Sequence, residues 1–181
     1  MKRFVCLTVC ALALTAAPAF SQSIFVGVGP TFPTGDYSEY ANTGFMLVGG
    51  LTFEIANNLD IYGEVGWGQN NHEQEGDKTN PVTFMGGLVY GFGGAASPVE
   101  PYVFGGAGIL QHRYSSDEFG DESDSGFGFQ GGAGVGFDLA GLGAWVEGRF
   151  TSASIDYDGV SETTAYFALV AGVSIDLSGG D

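Results

Sequence analysis

Between Ile24 and Leu177 the chain repeats one pattern eight times, in stretches of about ten to twelve residues where large apolar side chains alternate with Gly, Ala, Thr or a single polar group. Successive side chains on a strand point to opposite faces, so this alternation is a strand signal. Its clearest copies set Phe45, Leu47, Leu51, Phe53 and Ile55 against Val48, Gly50, Thr52 and Glu54, and Phe167, Leu169, Ala171, Val173 and Ile175 against Ala168, Gly172, Ser174 and Asp176. Helix is disfavoured throughout: the chain has 32 glycines, and each costs about 1 kcal/mol relative to Ala inside a helix.

The first 21 residues stand apart. Lys2 and Arg3 open the chain, Phe4 to Ala17 form an apolar core, and Ala19-Phe20-Ser21 gives a small-x-small cleavage site before Gln22. The apolar run is short for a helix spanning a bilayer, which needs about 20 residues. Residues 1–21 are therefore expected to be a removable signal peptide, and 22–181 a single domain. Both cysteines, Cys6 and Cys10, lie in the signal, which leaves the domain without a disulfide, a thiol nucleophile or a cysteine metal site. Beyond residue 21 the cations are Lys78, Arg113 and Arg149 against 21 acids, a formal charge of −18. Nucleic acid is excluded as a partner, because neutralising phosphates takes clustered cations.

Strands are predicted over 23–33, 44–56, 59–69, 82–93, 100–114, 126–138, 142–153 and 164–177. The connections alternate in length. Asn57-Asn58, Gly94 to Val99 and Leu139 to Gly141 are short, whereas Thr34 to Thr43, Asn70 to Pro81, Ser115 to Ser125 and Ser154 to Thr163 are longer and more polar. Short turns at one end and long loops at the other are the pattern of a transmembrane barrel. Alternation alone does not say which face is buried. A soluble sheet would carry many Lys, Glu and Arg on its wet face; here the minor face is mostly Gly, Ala, Thr and Val with isolated charges such as Glu54, Glu64, Glu147 and Arg149. That composition suits a narrow lumen. Aromatics near strand ends, among them Tyr40, Trp67, Tyr90, Tyr102, Tyr114 and Tyr166, fit interfacial girdles. Glycine pairs inside the strands, Gly49-Gly50, Gly86-Gly87, Gly105-Gly106 and Gly131-Gly132, fit kinks or space-makers in a crowded barrel. They do not fit a phosphate loop, since no helix signal follows Gly132 or Gly134, and no cofactor is expected.

With this spacing, the Pro33-Thr34-Gly35-Asp36 exit from the first strand, the Asn57-Asn58-Leu59 turn and the final Gly172-Val173-Ser174-Ile175 strand, the chain resembles the small outer-membrane β-barrel family of OmpA- and OmpX-like transmembrane domains. The resemblance implies an all-β, eight-stranded antiparallel up-and-down barrel in the outer membrane. Its implied partners are membrane lipid and lipopolysaccharide, the barrel-assembly machinery during insertion and some extracellular partner of the loops. Such barrels end on an aromatic residue that the assembly machinery recognises, a place for which Leu177 is the substitute here.

Glu64, Glu147 and Arg149 say most about the interior. Counted from the short turns they lie about five to seven residues into the third and seventh strands, hence near mid-membrane, opposite in phase to Ile61, Val65 and Trp67 or to Leu142, Val146 and Phe150. Trp145 shares their phase. A charge facing lipid would cost several kcal/mol, so the expectation is a lumenal Glu64–Arg149 ion pair with Glu147 beside it. The resemblance implies a plug or occasional gate at such a cluster. Lipid-modifying chemistry would need a nucleophile, a histidine and a carboxylate in mutual reach; His112 with Ser115 or Ser116 and Glu118 is the local candidate, but the sequence His112-Arg113-Tyr114-Ser115 lacks the His-x-Ser arrangement of lipid A deacylases. His72 sits in a loop with Glu73 and Glu75, and no enzyme or resident metal is expected. The acidic stretch Asp117, Glu118, Asp121, Glu122 and Asp124 is the candidate for weak divalent-cation contact, without the ligand order of an EF-hand. The expected role of this monomer is structural or surface-contacting with a mostly closed lumen. A small passive channel is the alternative, and an outer-leaflet lipid-modifying enzyme the third reading.

Overall fold

The computed structural model describes residues 22–177 except 73–76, 94–97, 117–119, 140 and 158–159, with 115–116, 120–122, 156–157 and 160–162 described by backbone alone. The strands are β1 (Gln22–Thr34), β2 (Gly44–Ala56), β3 (Leu59–Asn71), the two-residue β4 (Lys78–Thr79), β5 (Val82–Gly91), β6 (Val99–Ser116), β7 (Gly120–Leu139), β8 (Leu142–Tyr157) and β9 (Val160–Asp176). Every pairing is antiparallel, successive long strands are paired, and β9 returns to β1 with Ile24 opposite Ile175 and Phe32 opposite Phe167. The sheet is thus a closed eight-stranded barrel, with β4 wedged between β3 and β6 at the loop end. Closure leaves every long strand with a neighbour on both sides, which a chain in lipid needs because no water is there to satisfy a free edge.

The two faces follow the alternation. Outward positions carry exposed apolar side chains, with Val26 54%, Phe84 53% and Phe127 66% exposed, while Glu64, Gln130, Glu147 and Arg149 are all at most 6% exposed. Apolar outside and charged inside is the reverse of a water-soluble protein and matches a lipid-facing belt. On β6 the belt ends upward at Ile109, on β7 at Phe127, and on β8 at Phe150.

Glycine keeps the lumen passable for aromatics. Phe25 lies opposite Gly50, Phe104 opposite Gly132, Tyr102 opposite Gly134, and Trp145 opposite Gly172, which is itself opposite Gly27. A Cβ at Gly50 would come 2.6 Å from the Phe25 ring, and one at Gly132 2.7 Å from Phe104. These positions make room both for the rings and for close approach of the next strand, since a Cβ at Gly50 or Gly132 would also come 2.2 Å from the Gly63 or Gly148 carbonyl oxygen. Trp145, which shares the phase of Glu147, is therefore inward because two glycines leave room for its indole.

Two stretches expected to be loops continue as strands. Arg113 pairs with Ser123 and Ser116 with Gly120, and Ser154 pairs with Thr163 and Tyr157 with Val160. Once a hairpin is nucleated by its membrane part, each further residue gains the ladder bonds to its hairpin partner without any apolar phase. The expected Thr34–Thr43 loop begins with a 3-10 turn over Gly35–Glu39 that buries Tyr37 completely. The girdle expectation also needs correction: Trp67, Tyr90 and Phe92 face outward, whereas Tyr166 is 3% exposed and Tyr102 and Tyr114 direct their hydroxyls to Glu147 and Asp77.

Candidate functional site

At mid-barrel, inward positions of four strands meet at Arg149. Its Nη1 donates to Glu64 Oε1 at 2.6 Å and its Nη2 to Glu64 Oε2 at 3.2 Å, a forked contact across the bore from β8 to β3. Its Nε donates to Glu147 Oε1 at 2.8 Å, and Nη2 bonds the same oxygen. Four of the five guanidinium hydrogens are thereby engaged. Gln130 on β7 donates from Nε2 both to Glu64 Oε1 and to the Tyr62 hydroxyl, each at 2.9 Å. Tyr102 on β6 donates to Glu147 Oε2 at 2.8 Å, and the guanidinium carbon lies 5.3 Å from the centroid of Phe104. The three charges sum to −1, and neutral donors take the remaining carboxylate valence. A buried pair gains from its mutual attraction only when its other lone pairs and protons are largely satisfied as well, and here Tyr102 and Gln130 serve both carboxylates.

Glu64, Glu147 and Arg149 are legible in the sequence as inward charges; Tyr62, Phe104 and Gln130 are not, and Tyr102 is expected there in a girdle. Gln130 carried a signal, as the lone amide between Phe129 and Gly131 in phase with the interior. Tyr62 is likewise two residues before Glu64 and hence on the same face.

A second cluster closes the mouth. The Tyr37 ring packs edge-on against His112, with centroids 5.7 Å apart, and against Tyr40 at 5.5 Å. Tyr40 packs on His72 at 5.4 Å, and His72 on Tyr114 at 5.3 Å. His72 Nε2 and Thr79 Oγ1 are 2.7 Å apart, and the Tyr114 hydroxyl donates to Asp77. Backbone bonds fix the lid: Ala41 N to Tyr37 O at 3.1 Å and Asn42 N to Asn71 O at 2.8 Å, with Asn70 Nδ2 donating to Asn42 O at 2.8 Å and to Thr31 Oγ1 at 3.0 Å. Burial holds the His72 imidazole below its ordinary range, against the opposing pull of Asp77. Below the lid, Leu110, Ala153, Ile155 and Tyr166 are buried in the same apolar cluster as Tyr37.

The remaining sequence candidates lie partly outside the described residues. His112 points inward at 5% exposure and is packed against Tyr37, while Glu118 and the side chains of Ser115 and Ser116 lie outside the described residues. Of the acidic stretch, Asp117 and Glu118 are also outside them, and Asp121, Glu122 and Asp124 run along paired β7 instead of round a loop. An extended strand advancing about 3.3 Å per residue does not wrap consecutive ligands round an ion. Among the described residues no group of three or more His, Cys, Asp or Glu is placed to hold a metal.

The family model of the outer membrane protein beta-barrel domain matches residues 7–172. The chain belongs to that family. No curated protein matches it in sequence. In structure it is similar to Neisserial surface protein A, with 16% identity and a TM-score of 0.63 over 86% of this chain and 96% of that one. It is also similar to the N-terminal β-barrel domain of Pseudomonas aeruginosa OprF, with 11% identity and a TM-score of 0.52 over 86% and 99%. The attachment invasion locus protein Ail of Yersinia pestis, solved with the heparin analogue sucrose octasulfate, has 20% identity and a TM-score of 0.50 over 86% and 99%. At these identities the likeness shows the fold. The protein is an outer-membrane β-barrel of this small type.

Proposed function

We propose that this barrel serves the outer membrane as a closed structural element with a surface-contacting upper part, and that it conducts no steady flux. The observation that carries the reading is a lumen stoppered twice, by the Arg149 cluster in the middle and by the Tyr37 lid at the mouth. The first engages both carboxylates, and the second is a set of packed rings whose described polar groups His72, Thr79, Asp77 and Asn70 bond within the protein. Purified protein in planar bilayers is expected to show no steady current, with at most rare, small events. A stable ohmic conductance in wild type would replace this reading by a passive channel, which the lumenal charges would make selective.

For surface contact, β6 to β9 raise paired strands above the belt. A sulfated polyanion of the kind bound in the Ail structure suits this chain poorly, because among the described residues Lys78 and Arg113 are the exposed cations, in a chain with 21 acids. Heparin-agarose should not retain the protein at physiological salt. Lipid-modifying activity is disfavoured by the packing of His112 against the lid; incubation with lipopolysaccharide should release no fatty acid, and release lost in His112→Ala would restore the enzyme reading.

A further inference from the structure

The two connections that meet at the mouth are held in different ways. The one from β3 to β5 is sewn into the wall: its β4 pairs with both β3 and β6, and Asn80 N donates to Arg113 O at 2.8 Å. The one from β1 to β2 leaves the wall after Thr34, opposite Ala165, and rejoins it at Ala41, which bridges to His72, and at Asn42, whose N–H donates to Asn71 O. In between, the 3-10 turn Gly35–Glu39 bonds to itself, with Ser38 Oγ donating to Gly35 O at 2.6 Å and Ala41 N to Tyr37 O at 3.1 Å. Gly35, where the turn starts, has a φ of 60°, a backbone state natural to glycine and strained for other residues. This segment is a strap with a hinge at one end and a clamp at the other.

What the strap sends into the barrel is one ring. Asp36, Ser38, Glu39 and Tyr40 are exposed, and Tyr37 among them is fully buried. The space it fills is built by the wall. Leu110 and Ile155 are fully buried, Ala153 and Tyr166 nearly so, all in one apolar cluster with Tyr37. His112 meets the Tyr37 ring edge-on with centroids 5.7 Å apart, a favoured arrangement of aromatic pairs. The strands β6, β7, β8 and β9 that carry these residues are paired with one another at this height without the strap. The pocket therefore keeps its walls when the strap leaves, and the chemistry that fits it is read from its resident, a phenol ring.

We propose that the mouth of the barrel is a binding pocket for a small phenol arriving at the loop end, kept shut by Tyr37 as a tethered competitor on the Gly35–Tyr40 strap. The inference goes beyond the closed-barrel reading and leaves the Arg149 cluster in place. A tethered ring competes at high effective concentration, so a free phenol binds wild type only through the open fraction of the strap, and its apparent affinity is reduced by that fraction. Whatever loosens the strap without touching the pocket must tighten binding.

The test uses full-length folded protein in detergent with p-cresol, the tyrosine side chain cut at Cβ, as probe. Binding is read inside the barrel from the ¹³C-methyl signal of Met46, a member of the same buried cluster, with Met85 opposite Glu64 as reference. Tyr37→Ala should bind p-cresol saturably and at least tenfold more tightly than wild type. Gly35→Ala strains the hinge alone, since the added Cβ meets nothing within 4 Å; it should tighten binding several-fold in wild type and add nothing in the Tyr37→Ala background. Saturating p-cresol should quicken hydrogen exchange in residues 35–41 of wild type while β6 and β8 stay protected. Heat-modifiable gel migration checks that each variant is folded. No saturable Met46 shift in Tyr37→Ala would overturn the pocket. Equal affinity in wild type and Tyr37→Ala, or a Gly35→Ala variant that binds as wild type does, would overturn Tyr37 as a tethered competitor. Conductance should stay absent with p-cresol bound, because the Arg149 cluster still fills the bore; current in wild type alone would count against the closed-lumen reading and not against the pocket.

Discussion

The two stoppers of the lumen are built on opposite principles. The mid-barrel cluster joins β3, β6, β7 and β8 through charge-assisted bonds around one guanidinium, so each partner depends on the others and none can leave alone. The mouth joins a 3-10 turn, a loop and the top of β6 through ring edges and a few backbone bonds, each of modest strength and near water. One is part of the wall's integrity; the other is a cap that can loosen while the wall stands. The difference teaches where closure is permanent and where it is adjustable.

The sharpest way to break this contrast is Arg149→Ala, which leaves Glu64 and Glu147 facing each other without a cation. Losing one side of a buried pair typically costs about 3 to 5 kcal/mol, and urea unfolding in lipid vesicles should show a loss of that order, moderated by any water admitted to the lumen. The double change Glu64→Gln with Arg149→Met should cost less than the two single changes added together; strict additivity would mean that the residues do not act as a unit. Tyr37→Ala should behave differently. Removing a fully buried aromatic from a core costs about 3 to 5 kcal/mol, but in a cap the loss should be spent on local opening. Hydrogen exchange of residues 35–42 should therefore quicken while the global unfolding midpoint shifts by less than for Arg149→Ala. A midpoint shift as large as that of Arg149→Ala would put both stoppers in one cooperative unit.

The smallest effect expected is a pH dependence confined to the mouth. Because burial lowers the folded-state value of His72 below its ordinary 6.5, the neutral form favours the closed cap. Its contribution is complete above that ordinary value and falls away as pH drops below it. Once normalised to the slower intrinsic exchange at lower pH, protection of residues 35–42 should fall mildly on acidification from pH 7.5 to 5.5, and His72→Phe should remove that component. An unchanged pH response in His72→Phe would assign it to other groups.

Much of the barrel was legible in the sequence because lipid on one face and a narrow bore on the other enforce a strict two-residue period. The strand tops were not legible, since exposed residues such as Arg113, Ser123 and Ser125 carry no apolar phase. Their pairing is inherited from the ladder beneath. Within the site, Glu64 and Arg149 betrayed themselves because a charge in a membrane strand has one tolerable direction. Tyr102 and Tyr166 did not, as tyrosine is at home in either place, and phase alone separates an inward ring from a girdle ring. Tyr37 gave no signal at all: a residue in a polar loop is buried only through the tertiary fold of the lid.

The rings seated over glycines have a consequence for how the barrel is assembled. Strands can slide past one another by two residues and still keep every side chain on its proper face, so alternation by itself does not choose a register. Such a slide would set Trp145 against Val170 or Ser174 in place of Gly172, and Phe25 against Val48 or Thr52 in place of Gly50. Each wrong neighbour brings a side chain into space that the ring occupies. Trp145 also covers Gly27 across the junction of β9 with β1, where the first and last strands must find each other. The indole therefore proofreads the closing seam, admitting the one alignment in which both facing residues have no side chain.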